Sequence, residues 1–161
     1  MNAATTMPTD THAREARLEP LSLARLDEVL AIEAQAHPHP WSRRQFTDAL
    51  ASGYRIDLLL GGDQVLGYFV AMRGVEEAHL LNLTVAPAFQ RQGWGQILLD
   101  ALALWARGQG LQWLWLEVRM GNDRARAVYQ ANGFQQVGLR KRYYPAAGDA
   151  REDALVMSRA L

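Results

Sequence analysis

The chain has 161 residues, 49% of them apolar, which suits one domain around one hydrophobic core. Seventeen basic residues balance seventeen acidic ones, so the global field of a nucleic-acid binder is missing. No cysteine is present, which excludes disulfides, thiolate metal sites and a cysteine nucleophile.

Residues 1–16 are polar and rich in Thr and Ala. They are expected to be poorly ordered, since they offer little to bury. They lack the apolar run of a signal peptide, and no stretch reaches the roughly 20 apolar residues of a membrane span. The expected location is therefore the cytoplasm, with residues 17–161 as a single domain.

A strand is predicted at 17–21 and a helix at 24–36. Leu26, Val29, Leu30 and Glu33 follow the helical period there, three apolar and one polar. His37-Pro38-His39-Pro40 breaks that helix, because each proline disfavours helix in the residue before it. Alternation with proline, with no carboxylate or cysteine nearby, makes the two histidines poor metal ligands. With Trp41 they are expected to shape a cleft. Ser42 reads as the N-cap of a short helix at 43–50.

Strands follow at 54–60 and 65–72, joined as a hairpin through Gly61–Gln64, and at 79–85. Glu76 and Glu77 before the third strand read equally as a solvated turn or as an attraction for a basic peptide. Ile97, Leu98, Ala101, Leu102 and Trp105 mark one face of a helix at 94–109, with Gly110 at its C-terminal end. A strand at 112–119 comes next. Asn122 then caps a helix carrying Ala125, Val128, Tyr129 and Asn132 on one face, which ends at Asn132-Gly133. Residues 134–144 and 154–158 close the chain as an antiparallel pair. The sum is a mixed α/β (α+β) fold. Its sheet is mostly antiparallel with one parallel pair, and helices cover both faces.

Gln90-Arg91-Gln92-Gly93-Trp94-Gly95 sits between a strand and a helix. The first helical turn there leaves amide N–H groups unpaired and carries partial positive charge. Gly93 and Gly95 leave room for a phosphate, and Arg91 adds a charged donor. Neither a Walker loop nor a Rossmann fingerprint matches, since no Gly-Lys-Ser/Thr follows and Leu98 stands where a third glycine would. On spacing alone, an anion cradle and a ligand-free turn are equally good readings.

Strand alternation puts Trp113, Trp115, Glu117 and Arg119 on one face. Glu117 is an acid in an apolar strand, where burial is expected to raise its pKa. The plainer alternative is a structural pair with Arg119 or another cation. Tyr129 lies seven residues after Asn122, nearly two helical turns, so the two share a face. Arg140-Lys141-Arg142 beside Tyr143 and Tyr144 reads as a charged strand end rather than an RNA contact.

Several segments recur here in one order over most of the chain. They are Leu81-Asn82-Leu83-Thr84-Val85-Ala86-Pro87, the Gln90–Gly95 loop, Trp115-Leu116-Glu117-Val118-Arg119 and Asn122. Val128-Tyr129, Gly133-Phe134, Arg142-Tyr143-Tyr144-Pro145 and Arg151-Glu152-Asp153-Ala154 complete the set, together with Pro40-Trp41-Ser42. In this the sequence resembles the GNAT acetyltransferase superfamily, and within it the bacterial ribosomal-protein-alanine N-acetyltransferases (RimI type). The resemblance implies acetyl-CoA as donor and no metal. It implies that Leu83, Thr84 and Val85 bond the pantetheine arm through their backbone. Arg91, Gln92, Gly93, Trp94, Gly95 and Gln96 would hold the pyrophosphate, and Asn122 would touch the cofactor. Glu117 would be general base and Tyr129 general acid. Gln96 departs from the arginine usual in this group.

The implied acceptor is a protein N-terminus, that of a ribosomal protein, with no nucleic acid or membrane as partner. An α-amine has a reference pKa near 8 and is about one-tenth neutral at pH 7, so it asks little of a base. A small-molecule amine is the alternative acceptor, and a non-catalytic CoA-binding module the third reading.

Overall fold

The computed structural model describes residues 16–161, so the expectation for the first fifteen lies outside the described residues. The order is β1 (Ala16–Pro20), α1 (Leu26–Ala36, after a 3-10 turn at Leu23–Arg25), α2 (Arg43–Ala51), β2 (Arg55–Gly61), β3 (Gln64–Arg73) and β4 (Glu77–Val85). Then come α3 (Trp94–Gly108), β5 (Trp113–Arg119), α4 (Asp123–Ala131), β6 (Gln135–Pro145) and β7 (Arg151–Ala160). Seven strands form one sheet in the order β1-β2-β3-β4-β5-β7-β6, antiparallel everywhere except β4–β5. The mixed fold expected from the sequence is the fold found.

Each face of the sheet buries its own core. Leu98, Leu99, Leu102 and Ala106 of α3 pack with Phe69, Leu114 and Leu116 on one side. Leu26 and Val29 of α1 and Phe46 of α2 pack with Leu58, Leu60 and Tyr68 on the other. Ser42 completes a capping box with Gln45 at the start of α2, satisfying two otherwise orphan amides. That leaves the His37–Trp41 segment as a short strap between two fixed helices.

Several boundaries shift by a residue or more, and two of the shifts have a clear cause. The third strand begins at Glu77, where Glu77 pairs in register with Trp113, and the Glu76 carbonyl receives the amides of Gln112 and Trp113. The acidic pair therefore ties strands together. The last strand runs from Arg151 to Ala160, longer than its apolar centre indicates, because both neighbours β5 and β6 offer it a ladder.

Candidate active site

Two irregularities in β4 build the site. Along β3, Val70 faces Asn82 but Ala71 faces Leu80, so Leu81 is an extra residue, a β-bulge. A bulge bends its strand and shifts the alternation of side chains by one. Before it, Ala78 and Leu80 face the α3 core; after it, Leu83 and Val85 do. Asn82 and Thr84 are thereby turned to the α1 face. The parallel pairing with β5 also stops there, at Leu80–Leu116. Beyond that point the two strands part, and the facing edges of 81–85 and 117–119 are left to line a trough.

The trough is continuous. At one end, a cavity of about 230 Å³ is lined by Arg91, Gly93, Trp94, Gly95 and Gln96 with Arg124. It shares Val85, Gln90, Gly95, Arg124 and Val128 with a middle cavity of about 290 Å³. That one shares His37, Leu83, Asn122, Ala125 and Tyr129 with a third of about 210 Å³, where Glu117 lies.

The Gln90–Gly95 end has the make-up an anion cradle would need. Gly93 is the left-handed N-cap of α3, with φ 90°, a conformation glycine adopts without strain. The helix's first capping bond runs from Ile97 N–H to Gly93 O at 3.3 Å, so the amides before it project from the helix end. Gln90 fastens the loop to β4 by donating to Val85 O at 3.1 Å. Gln96 takes no comparable part with its side chain. Its amide donates to Val128 O and accepts from Asn132, bridging α3 to α4. The cation that reaches this end, besides Arg91, is Arg124 from the first turn of α4, 3.5 Å from the Gln90 side chain. Sequence reasoning passed over Arg124, although its place two residues after Asn122 on the same helix start was a usable signal.

Asn122 accepts from the amide of Ala125 at 3.1 Å, capping α4, and lines the middle and third cavities. Tyr129, two turns further along, lines both as well. Its ring packs against Phe134 with centroids 5.9 Å apart. Burial pushes its phenol up to about 12. It is a hydroxyl that keeps its proton at neutral pH.

Glu117 has the counter-cations that the plainer reading allowed, though Arg119 is not among them, and it corrects the expected direction of its pKa. Its partners are His79, in direct hydrogen-bond contact, and Arg140, with the guanidinium Nε at 3.2 Å. Arg119 pairs instead with Glu152. Burial alone would raise the Glu117 carboxyl, but the bond and charge of His79, then Arg140, outweigh it and hold the group below its ordinary value. The carboxyl is thus an anion throughout the neutral range rather than a tuned weak acid. The charged run at 140–142 therefore supplies a counter-charge to Glu117. His79 reaches Glu117 because β4 and β5 run parallel in register there, His79 opposite Trp115. Tyr144 closes the third cavity beneath Arg119, whose guanidinium carbon is 4.6 Å from the ring centroid.

A second polar cluster lies behind the strap. Glu33 is 1% exposed, inside the α1 core. Its carboxylate accepts from Tyr68 Oη, from Asn82 Nδ2 at 3.1 and 3.2 Å, and from the amide of Trp41 at 3.1 Å. The lone polar member of that helix's apolar stripe was the signal.

A trough with an anion cradle at one end and an ionised carboxylate at the other suits a transferase that takes an acyl group from a long phosphorylated thioester. The Acetyltransferase (GNAT) family model matches residues 23–134, and this chain belongs to that family. It is an acetyl-CoA-dependent N-acetyltransferase. It is 36% identical over 132 residues to the [ribosomal protein bS18]-alanine N-acetyltransferase of Haemophilus influenzae, covering 82% of this chain and 90% of that protein. To the Escherichia coli K12 enzyme of the same description it is 37% identical over 127 residues, 79% of this chain and 85% of that one. The crystal structure of the Escherichia coli ribosomal-protein-S18-alanine N-acetyltransferase superposes with a TM-score of 0.83 at 34% identity, covering 90% and 93% of the two chains.

Proposed function

We propose that residues 17–161 act as one acetyltransferase unit that acetylates a protein N-terminal α-amine, that of the N-terminal alanine of ribosomal protein bS18. The observation that carries this is similarity over 79% to 82% of this chain to enzymes of that description, joined to a trough whose acceptor end holds an ionised carboxylate. A cytoplasmic location goes with a ribosomal acceptor. Among the described residues, no helix is long and apolar enough to cross a membrane.

In this reading the pyrophosphate rests on the amides at 93–96, with Arg91 and Arg124 as counter-charges. The pantetheine arm lies along the free edge of Leu83–Val85, beside Asn122. The incoming amine is an ammonium. Glu117 draws it in and accepts one of its protons, directly or through a water. The freed nitrogen pair forms the C–N bond to the acetyl carbon, and the C–S bond breaks with its electron pair left on sulfur. Tyr129 gives that sulfur a proton, as a phenol can to a thiolate of reference pKa near 8.5. Nitrogen loses two protons in all: sulfur gains one and solvent the other.

Mass spectrometry of acetyl-CoA reactions with peptides of differing first residue tests the acceptor. Acetylation at the α-amine of the alanine-initial bS18 peptide is expected. Modification only of a lysine in a peptide with a blocked N-terminus would overturn the assignment.

A further inference from the structure

His37 lines both the middle and the third cavity, so it stands where the thioester and the amine meet in the proposed binding mode. Its Nε2 is 2.7 Å from Thr84 Oγ1. Which atom carries the proton in that bond follows from the cluster behind it. Asn82 turns its amide nitrogen to both oxygens of Glu33, because an amide oxygen there would face a carboxylate. Asn82 Oδ1 therefore points the other way and can only accept. Thr84 Oγ1, 2.7 Å from it, must donate its single hydrogen to that oxygen. Toward His37 the Thr84 oxygen then has only a lone pair to offer. Nε2 must carry hydrogen, and in the neutral ring the free lone pair falls on Nδ1.

The chain Glu33–Asn82–Thr84 thus orients an imidazole without touching the reaction. Glu33 also lies 3.8 Å from Nε2, so a carboxylate does stand beside this histidine, against the expectation that none is nearby. The titratable groups facing the third cavity with His37 are Glu33, His39, Glu117, Arg119, Tyr129 and Tyr144. Of these, Glu117 already answers two cations.

We propose that His37 is a catalytic residue of this acetyl transfer: its Nδ1 accepts the second proton that the nitrogen loses, and Glu33, Asn82 and Thr84 are the residues that hold its tautomer. This rests on the reading that Glu117 takes the first. Once the C–N bond has formed, the adduct nitrogen is cationic. His37 Nδ1 takes a proton from it and becomes imidazolium, flanked by Thr84 oxygen and the Glu33 charge. Tyr129, having protonated sulfur, recovers one proton from this pair of acceptors, and the other leaves to solvent through the exposed edge of His37, whose side chain is 36% accessible.

The test is first spectroscopic. Long-range ¹H–¹⁵N correlation on the unaltered protein, with His37 assigned through His37→Gln, reports which ring nitrogen bears hydrogen. The Nε2–H form is expected, changing to a mixture in Thr84→Val; an Nδ1–H ring in the unaltered protein overturns the proposal. The second arm is kinetic. Glutamine can keep the donor to Thr84 but has nothing at Nδ1. His37→Gln is expected to lower kcat by about 10²-fold, within the range of a general base, and to flatten the pH profile of kcat. Turnover and profile like the parent's would also overturn it. If Glu117→Gln is inactive while His37→Gln is not, the inference fails and the reading of Glu117 stands. Should no peptide N-terminus be acetylated at all, the tautomer still decides the orienting chain.

Discussion

Glu117→Gln separates a carboxylate that does chemistry from one that only joins strands. The substitution keeps shape and removes charge. It leaves His79 and Arg140 facing a neutral amide, part of which is itself a donor. Breaking a fully buried pair costs about 3–5 kcal/mol, and an exposed pair contributes about 0.2–1 kcal/mol. Glu117 is 7% exposed, but His79 is 24% and Arg140 55% exposed, so both cations can turn to water. The loss should fall between the two limits, about 1–2 kcal/mol, or about 3–6 °C in melting temperature for a chain of this size.

Turnover should fall much further, about 10²–10³-fold, measured as thiol release with an alanine-initial peptide. Acetyl-CoA affinity by calorimetry should stay within about twofold, since the proposed phosphate cradle shares no partner with Glu117. The acid side supplies a second check. The folded carboxyl titrates below its ordinary 4.5. The unfolded chain therefore binds more protons in acid, and the stability from this group is complete above the unfolded value and lost as pH falls through the lowered one. The stability gap between parent and Glu117→Gln should be widest near pH 6–7 and close below about pH 4.5. A mutant that melts early yet turns over like the parent would leave Glu117 a structural tie and refute the reasoning.

Tyr129→Phe removes one hydroxyl from a ring that keeps its packing on Phe134, so turnover should fall about 10-fold or more while stability changes by under about 1 kcal/mol. Because the phenol titrates near 12, an alkaline limb between pH 8 and about 10 should persist in that variant. Arg124→Ala should weaken acetyl-CoA binding about 5- to 10-fold in calorimetry, with a smaller effect at high salt, and leave a saturated kcat nearly unchanged. Gly67→Ala would put a methyl 2.5 Å from the Thr84 carbonyl oxygen, a backbone atom. Strand β4 must then shift, and urea titration should show a loss of about 1–3 kcal/mol.

What could be read along the chain was whatever is settled within a few neighbouring residues. The Ser42 cap, the helical face from Ile97 to Trp105, the glycine-led start of α3 and the Asn122 cap all rest on local periods and local amide needs. Hence the strand–loop–helix that would seat a pyrophosphate, and the common face of Asn122 and Tyr129, were legible beforehand. Glu117 was legible as an acid among apolar neighbours, but its partners were not. His79 and Arg140 lie 38 and 23 residues away from it and meet it only because β4, β5, β7 and β6 stand in that order. That is why the sign of its pKa shift came out opposite to expectation: burial is visible in a strand's composition, whereas a counter-charge from another strand is not.

The bulge at Leu81 belongs to the same class. The doubled leucine at Leu80-Leu81 breaks the alternation of that strand, but whether a bulge forms there is settled only against a partner, since register is a property of two strands rather than one. Only the assembled sheet decides it. That slip opens β4 from β5, and it turns Asn82 and Thr84 from one core to the other, where Glu33 and His37 wait.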